Sequence, residues 1–155
     1  MKKLMMFLFS IFTTLLLLFC SACQSTTAKV ENFYNLVNQS KTCLDEVADD
    51  IYSNWYNAIY NDKFYGSIDI AIASALSNNS ENLAVIEAND PLIKESYKEV
   101  RNSDYDTEVK AVLMAYSDYY EFVVNVSGSF KSFSENKEIL KKELASALKD
   151  LSLEL

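Results

Sequence analysis

Glycine and proline are nearly absent from this chain, and that scarcity constrains the fold more than any other feature of the sequence. The 155 residues contain two glycines and one proline. A sheet protein of this size would need such residues at each of its hairpins, where the backbone turns tightly. Asparagine and serine are available to form the connections instead. We therefore predict few, long helices.

Apolar residues recur at intervals of three and four after residue 28, which is the pattern of a helix with one buried face. In the first predicted helix, residues 29–61, only Ser40 and Asn54 interrupt this stripe. Residues 67–77 are apolar almost all round and predict a short buried helix, with a buried strand as the alternative. Further helices are predicted at residues 81–88, 91–101, 107–126 and 134–151.

Local signals set the predicted helix boundaries. Asp90-Pro91 is typical of a helix start, because aspartate caps free amides and proline at the first helical position loses no hydrogen bond. Ser80 is a predicted N-cap. Residues 132–135, Ser-Phe-Ser-Glu, resemble a capping box, and Gly66 and Gly128 are placed to end the helices before them.

These elements predict an all-α fold. Three long amphipathic helices with two or three short ones are expected to pack as a small up-down bundle, because each apolar face must be covered. No proline-rich or glycine-rich linker divides the chain. We therefore predict one domain over residues 29–155, preceded by a leader over residues 1–22 and a short tether over residues 23–28.

The leader has the layout of a secretory signal peptide. Lys2 and Lys3 precede an apolar run over residues 4–19, and small residues come before a cysteine. The ending Cys20-Ser21-Ala22-Cys23 resembles the lipobox of bacterial lipoproteins. That resemblance implies that a diacylglyceryl group is attached to Cys23, which becomes the first residue after cleavage. An uncleaved transmembrane anchor is the alternative, because the apolar stretch approaches the roughly 20 residues that span a bilayer.

Both interpretations place the rest of the chain outside the cytoplasmic membrane, because lysines before an apolar segment keep that end cytoplasmic. Two acyl chains give a stable anchor where one does not. The five residues 24–28 reach at most about 17 Å when extended. The domain is therefore expected close to the membrane surface.

Charge excludes one class of partner. None of the 22 acidic residues and two of the 14 basic residues precede Cys23, so residues 23–155 carry 12 positive and 22 negative charges, a net charge of −10. Nucleic acid binding requires clustered lysine and arginine, and anionic headgroups would be repelled. We predict no nucleic acid partner.

Most catalytic chemistry is also excluded. The chain has no histidine, so it lacks the usual general base and the usual partner of a serine or cysteine nucleophile. Cys43 is interpreted as a small buried hydrophobe. A cluster of acids lies in the first predicted helix: Asp45, Glu46, Asp49 and Asp50. A functional hypothesis is that they form a calcium site or the paired acids of a hydrolase. The preferred interpretation is a solvated helix face. We predict no enzyme, cofactor or metal site.

Asp104, Asp106 and Glu108 alternate in a predicted loop and come nearer to the spacing of calcium ligands. Acids that complement the dipole of the following helix are the preferred interpretation.

Aromatic residues are the better functional signal. Tyr52, Tyr56 and Tyr60 recur every four residues and so share one side of the first helix, beside Trp55. One interpretation places them in the core with hydroxyls at the surface; the other is an exposed patch that binds a partner, since tyrosine and tryptophan are enriched at interfaces. The candidate partner-binding residues are Tyr52, Trp55, Tyr56, Tyr60, Tyr116, Tyr119 and Tyr120.

The sequence therefore predicts a membrane-anchored lipoprotein that acts as a non-catalytic protein-interaction module. This plan resembles the small lipoproteins of phages and prophages that block superinfection by binding an injected phage protein, which implies a similar role. A protein that binds a small or envelope ligand in an aromatic pocket between helices is the alternative. The wide apolar face of the first helix also allows a homo-oligomer.

Overall fold

The computed structural model describes residues 25–155, and this part of the chain folds into helices with no strand. The prediction of an all-α bundle is confirmed. The described residues form five α-helices and one 3₁₀ turn. In chain order they are α1 (Thr26–Tyr60), the 3₁₀ turn (Lys63–Gly66), α2 (Ile68–Asn78), α3 (Ser80–Val100), α4 (Asp106–Val124) and α5 (Phe130–Glu154). The signal peptide, the lipobox and Cys23 lie outside the described residues.

The helix α1 is the common scaffold, because every other helix contacts it. Its 35 residues span about 52 Å at 1.5 Å per residue. The helices α2 and α3 together run back along it. The amide of Asn54 near the end of α1 donates to the carbonyl of Ala71 in α2, whereas Lys29 near its start pairs with Glu99 at the end of α3.

The last two helices complete the up-down arrangement. In α4, the hydroxyl of Tyr119 donates to Asp45 at 3.0 Å. In α5, Phe130 lies against Tyr56, and Lys141 further along lies 3.7 Å from Asp45. The helix α5 therefore runs antiparallel to α1. The turn over residues 61–67 and the loop over residues 125–129 lie at the end of the bundle where α1 finishes.

The predicted break at Asp90-Pro91 is wrong, because α3 continues through Pro91. Proline inside a helix removes one hydrogen bond and is disfavoured. Here the buried face of α3 runs on unbroken through Ile86, Asn89 and Ile93. Packing of that face against α1 outweighs the local signal. The bundle consequently has four long helices and one short helix.

The start of α5 was also placed wrongly by the sequence pattern. The helix begins at Phe130, and its capping box is formed by Ser129 and Ser132. The predicted box at residues 132–135 lies inside the first turns. A serine hydroxyl takes the place of the glutamate expected at the third helical position, which hid the signal.

Three other predicted boundaries moved. The helix α1 begins at Thr26 and not at residue 29, so residues 26–28 of the predicted tether are helical. Asn79, and not Ser80, precedes α3, and its side chain closes the end of α2 by donating to the carbonyl of Ala75 at 3.0 Å. The helix α4 ends at Val124, so Gly128 lies in the following loop. Such boundaries depend on local hydrogen bonds that several neighbouring polar residues are able to make.

The core runs the length of the bundle and draws on all five helices. Its largest fully buried side chains include Phe33, Tyr116, Tyr119 and Phe133. Ser40, which interrupts the apolar stripe of α1, is fully buried and accepts a hydrogen bond from the Asn89 amide at 3.2 Å. Within residues 25–155, none of the helices has the length and hydropathy that crossing a bilayer demands.

Candidate functional site

The aromatic residues singled out by the sequence divide between the core and the surface. Tyr116 and Tyr119 are fully buried, and Trp55 is nearly so. Burial, followed by the charges of Asp90 on Tyr116 and Asp45 on Tyr119, raises the pKa of both phenols. The prediction that these three residues contribute to an exposed patch is therefore wrong. Their place on the inward face of each helix gives them a packing role.

Tyr120 does not join the tyrosines of α1. Its half-buried ring packs on Tyr116 at a centroid distance of 6.0 Å, within its own helix. Its position in α4 follows from the spacing of four residues that puts both rings on one side of the helix. The structure therefore separates it from the surface described next.

The remaining tyrosines of α1 form a row that becomes more exposed toward the end of the helix. Tyr52 is half-buried, and the exposed fraction rises from 41% at Tyr56 to 61% at Tyr60. The rings of Tyr56 and Tyr60 lie 4.7 Å apart. Phe130, the first residue of α5, packs against all three, with its ring 5.2 Å from that of Tyr52.

Phe130 was missed because the sequence pattern placed it in a loop. Once Ser129 is recognised as the N-cap, Phe130 becomes a helical residue that must pack on a neighbour. It stands between the exposed tyrosines and the buried Trp55, whose ring lies 6.0 Å away. Phe130 therefore connects the exposed tyrosine rings to the buried core by direct packing.

A continuous segment of the chain carries most of the exposed apolar side chains. Among the described residues, six of the ten large apolar side chains that are exposed lie between residues 56 and 70. Exposed apolar side chains concentrated in one short segment, of which the Tyr56 and Tyr60 rings are in contact, favour an interaction site. We call it the end surface and define it by Tyr56, Ile59, Tyr60, Tyr65, Ile68 and Ile70.

Tyr65 is the most exposed member of the end surface, at 97%. It lies in the turn between α1 and α2, where Asp62, Phe64 and Tyr65 all have positive φ angles between 51° and 57°. Residues other than glycine rarely adopt this left-handed conformation, which is disfavoured by about 1–2 kcal/mol each. Backbone strain of this kind persists where surrounding structure enforces it and is concentrated at functional sites.

The acidic cluster of α1 links helices. Asp49 accepts hydrogen bonds from Lys137 at 2.6 Å and from Lys141 at 3.3 Å, both in α5. Asp45 accepts one from Lys41 at 2.7 Å, in addition to the one from Tyr119. The preferred prediction of a solvated helix face is therefore wrong for Asp45, which is partly buried and accepts a hydrogen bond from α4. It is confirmed for Asp49, whose side chain is 51% exposed although it also accepts hydrogen bonds from α5.

The other two acids of the cluster face α2 and α3. Glu46 accepts a hydrogen bond from Asn82 at 2.8 Å, and Asp50 accepts one from Asn79 at 2.7 Å. Over residues 25–155, no group of three or more histidine, cysteine, aspartate or glutamate residues is arranged to hold a metal ion.

Asp106 and Glu108 lie in the first turn of α4, as the helix-dipole interpretation predicts. Asp106 also accepts a hydrogen bond from the backbone amide of Asn102 at 2.9 Å. This bond ties the start of α4 to the loop before it.

Cys43 is partly buried in α1, where burial and then the charge of Glu46 raise the pKa of its thiol. A raised pKa keeps the thiol protonated at neutral pH and disfavours a role as nucleophile. The structure therefore agrees with its interpretation as a packing residue.

No protein-family model, curated protein or solved structure matches this chain. The end surface is thus the main guide to function. It combines exposed tyrosine rings, branched aliphatic side chains and a strained turn in 15 consecutive residues. Only two of its six members, Tyr56 and Tyr60, were among the residues predicted from the sequence.

Proposed function

We propose that this chain is a lipoprotein, anchored outside the cytoplasmic membrane through Cys23, whose helical bundle binds a protein partner through the end surface. The concentration of exposed apolar side chains between residues 56 and 70 carries this proposal. A contiguous apolar surface is uncommon on a monomeric protein and, where it occurs, is typical of an interaction site. Tyrosine is well suited to an interface, because its ring buries a large area while its hydroxyl remains able to form hydrogen bonds.

The position of the end surface supports the proposal. The helix α1 begins three residues after Cys23, and Tyr56 lies 30 residues beyond its first residue. At 1.5 Å per residue, this separation is about 45 Å. A lipid on Cys23 would hold one end of α1 at the membrane, and the end surface lies near the opposite end of the same unbroken helix. It is therefore well placed to meet a partner.

Photocrosslinking in intact cells tests the partner proposal. A photoreactive amino acid is introduced at position 65, and a matched one at position 114, where Met114 is also exposed but lies on α4 outside the end surface. We expect one dominant foreign protein to be captured from position 65 and not from position 114. Equal capture from both positions, or capture of nothing, would contradict the proposal.

A double substitution separates binding from folding. Tyr60→Ser with Tyr65→Ser removes two exposed rings and should leave helicity unchanged, because neither side chain is buried. Capture through a photoreactive group at the neighbouring position 59 is expected to fall at least tenfold. Trp55→Ala is the contrasting variant: its ring is buried against Phe133, so loss of helicity should accompany any loss of binding.

The lipid anchor is tested separately. Cys23→Ser is expected to abolish labelling of the chain by a fatty-acid probe, because serine has no thiol to accept the diacylglyceryl group. Cys43→Ser is the matched control and should leave labelling unchanged. Persistent labelling of Cys23→Ser would contradict the lipoprotein assignment.

The resemblance in plan to phage superinfection-exclusion lipoproteins supplies a specific version of this proposal. In that version the partner is a phage protein that is injected at the cell surface. Cells that produce the chain would then resist superinfection, and cells that produce the Tyr60→Ser, Tyr65→Ser variant would be sensitive. Equal plating of phages on both strains would remove this version and leave the broader proposal in place.

A further inference from the structure

The charged residues within the segment of the end surface have a small net negative charge of −1. In the segment from Ile59 to Ile70, the charged residues are Asp62, Lys63 and Asp69, and all three are exposed. The described residues as a whole carry a net charge of −10, because every acidic residue and all but two basic residues belong to them. A negative field around an apolar surface favours a positively charged partner and opposes a negatively charged one.

The protein already contains one example of how this surface would hold a cation. The ammonium group of Lys137 lies 4.6 Å from the centre of the Tyr52 ring and 2.6 Å from a carboxylate oxygen of Asp49. The face of a tyrosine and a nearby carboxylate together stabilise the positive charge. Tyr52 is the first member of the row that continues through Tyr56 and Tyr60 to the end surface.

We infer that the segment of the partner that binds the end surface carries lysine or arginine beside an apolar side chain. This inference rests on the proposed function and specifies the chemistry of its partner. Apolar side chains of the partner cover Ile59, Ile68 and Ile70. Its cationic groups lie over the exposed tyrosine rings and pair with Asp62 and Asp69.

Two other occupants fit these observations less well. A second copy of the chain would bring the same two carboxylates, Asp62 and Asp69, and the same net charge of −10 to the interface. With both copies anchored to one membrane through Cys23, end-to-end pairing would also direct the two anchors away from each other. An anionic lipid surface would be repelled by Asp62 and Asp69.

Binding of two defined peptides tests the inference. Both are labelled 12-residue peptides with leucine and tryptophan at the same positions; one carries lysine and the other glutamate at the remaining positions. The full chain is held in phosphatidylcholine nanodiscs, with empty nanodiscs as the blank, and fluorescence anisotropy measures Kd. We expect the lysine peptide to bind at least tenfold more tightly, with a Kd that rises as salt screens the charges.

Matched variants separate local from overall charge. Asp62→Asn with Asp69→Asn should weaken binding of the lysine peptide at least fivefold. Glu87→Gln with Asp118→Asn changes net charge equally at exposed positions on α3 and α4 and should alter Kd by less than twofold. Tyr60→Ser with Tyr65→Ser should weaken binding at least tenfold. Equal binding of both peptides, equal effects of the two charge variants, or no effect of the tyrosine variant would overturn the inference.

The alternative occupants have their own readouts. Dimerisation that depends on Tyr60 and Tyr65, detected by analytical ultracentrifugation, would overturn the inference in favour of a second copy. Binding to phosphatidylglycerol vesicles that depends on the same residues would overturn it in favour of lipid. Capture from position 65 of a partner whose contacting segment is neutral or acidic would also overturn it, while leaving the proposed function standing. Absence of any captured partner would contradict both.

Discussion

Lys137 in α5 donates a hydrogen bond to Asp49 in α1 over 2.6 Å, although the lysine is only 7% exposed. Burial alone would lower the pKa of a lysine; the hydrogen bonds and charges of Asp49 and Glu138 instead raise it. Burial would likewise raise the pKa of Asp49, whereas Lys137 and Lys141 hold it below its ordinary value. These opposite shifts show that the pair is stabilised in its charged form.

Asp49→Asn should destabilise the bundle at neutral pH. We expect the free energy of unfolding to fall by about 1 kcal/mol, which is below the roughly 1.5–3 kcal/mol of a hydrogen bond to a charged group because Asp49 is half exposed. The pKa of Asp49 is lower in the folded state than in the unfolded state. Its contribution is therefore complete above its ordinary value of 3.8 and is lost as pH falls through the folded value. Urea denaturation at pH 7 and pH 2.5 measures this.

The test of the charged pair is how the loss of stability caused by Asp49→Asn changes between pH 7 and pH 2.5. The difference between wild type and Asp49→Asn should narrow at pH 2.5, because below the ordinary value of 3.8 the carboxylate is protonated in the unfolded state and the advantage of the lowered folded-state pKa is progressively lost. Asp118→Asn, at an exposed position on α4, is the control and should have little effect at either pH. A difference that stays constant with pH would exclude the charged pair as its cause.

Two buried tyrosines should respond differently to loss of their hydroxyls. Tyr119→Phe removes a hydrogen bond to Asp45 and is expected to lower the free energy of unfolding by about 1 kcal/mol. The hydroxyl of Tyr116 makes no hydrogen bond of standard geometry among the described residues, and its interaction with the Ser40 side chain is outweighed by its burial. Tyr116→Phe should therefore leave the stability unchanged or raise it by up to about 1 kcal/mol. Urea denaturation of both variants measures the contrast, and equal losses would contradict it.

Pro91→Ala should stabilise the protein. Proline in the interior of α3 removes one helical hydrogen bond and crowds the preceding turn, and it is about 3 kcal/mol less favourable there than alanine. Part of this gain is offset because the unfolded chain becomes more flexible. We expect thermal and urea denaturation to show a net gain of about 1–2 kcal/mol. Glu95→Ala on the exposed face of the same helix should change stability by less than about 0.5 kcal/mol.

Tyr65→Gly should weaken partner binding and yet stabilise the fold. Glycine adopts the positive φ of this position without the strain of roughly 1–2 kcal/mol that a side chain introduces, and the gain exceeds the 0.5–1 kcal/mol that glycine loses in chain entropy. Tyr65→Ala is the matched control: it removes the same ring but retains the strain. Both variants should lose capture of the partner from a photoreactive group at position 59, whereas only Tyr65→Gly should show a higher free energy of unfolding.

The spacing of apolar residues was sufficient to predict the helical class and the inward face of α1. Buried residues such as Val30, Val37, Leu44 and Ile51 follow the predicted stripe because burial of apolar area dominates helix packing. The boundaries were less predictable. At Asp90-Pro91, packing of the helix outweighed a local signal for a helix start. At Ser132, a second serine, Ser129, formed the cap instead. The sequence pattern does not show which of two such effects is stronger.

The candidate site was predictable only in part. A repeat of four residues correctly grouped Tyr52, Tyr56 and Tyr60, but periodicity alone does not show where the covering helix begins. Phe130 is the first residue of that covering helix, lies 70 residues after Tyr60 in the chain, and packs against the row of tyrosines. Tyr65 was not identified because its exposure follows from the backbone angles of a turn, and these are not visible in residue type.

The unbroken course of α1 has a mechanical consequence. A pull on Tyr56, Ile59 and Tyr60 would act directly on the last turns of α1, and if Cys23 carries the lipid, the opposing force would act three residues before the first residue of α1. The load path would therefore be a single hydrogen-bonded helix, with the other four helices attached in parallel along its side. No loop of the described chain lies between Tyr56, Ile59 or Tyr60 and the start of α1, so tension applied to them would be carried without unfolding a connection first.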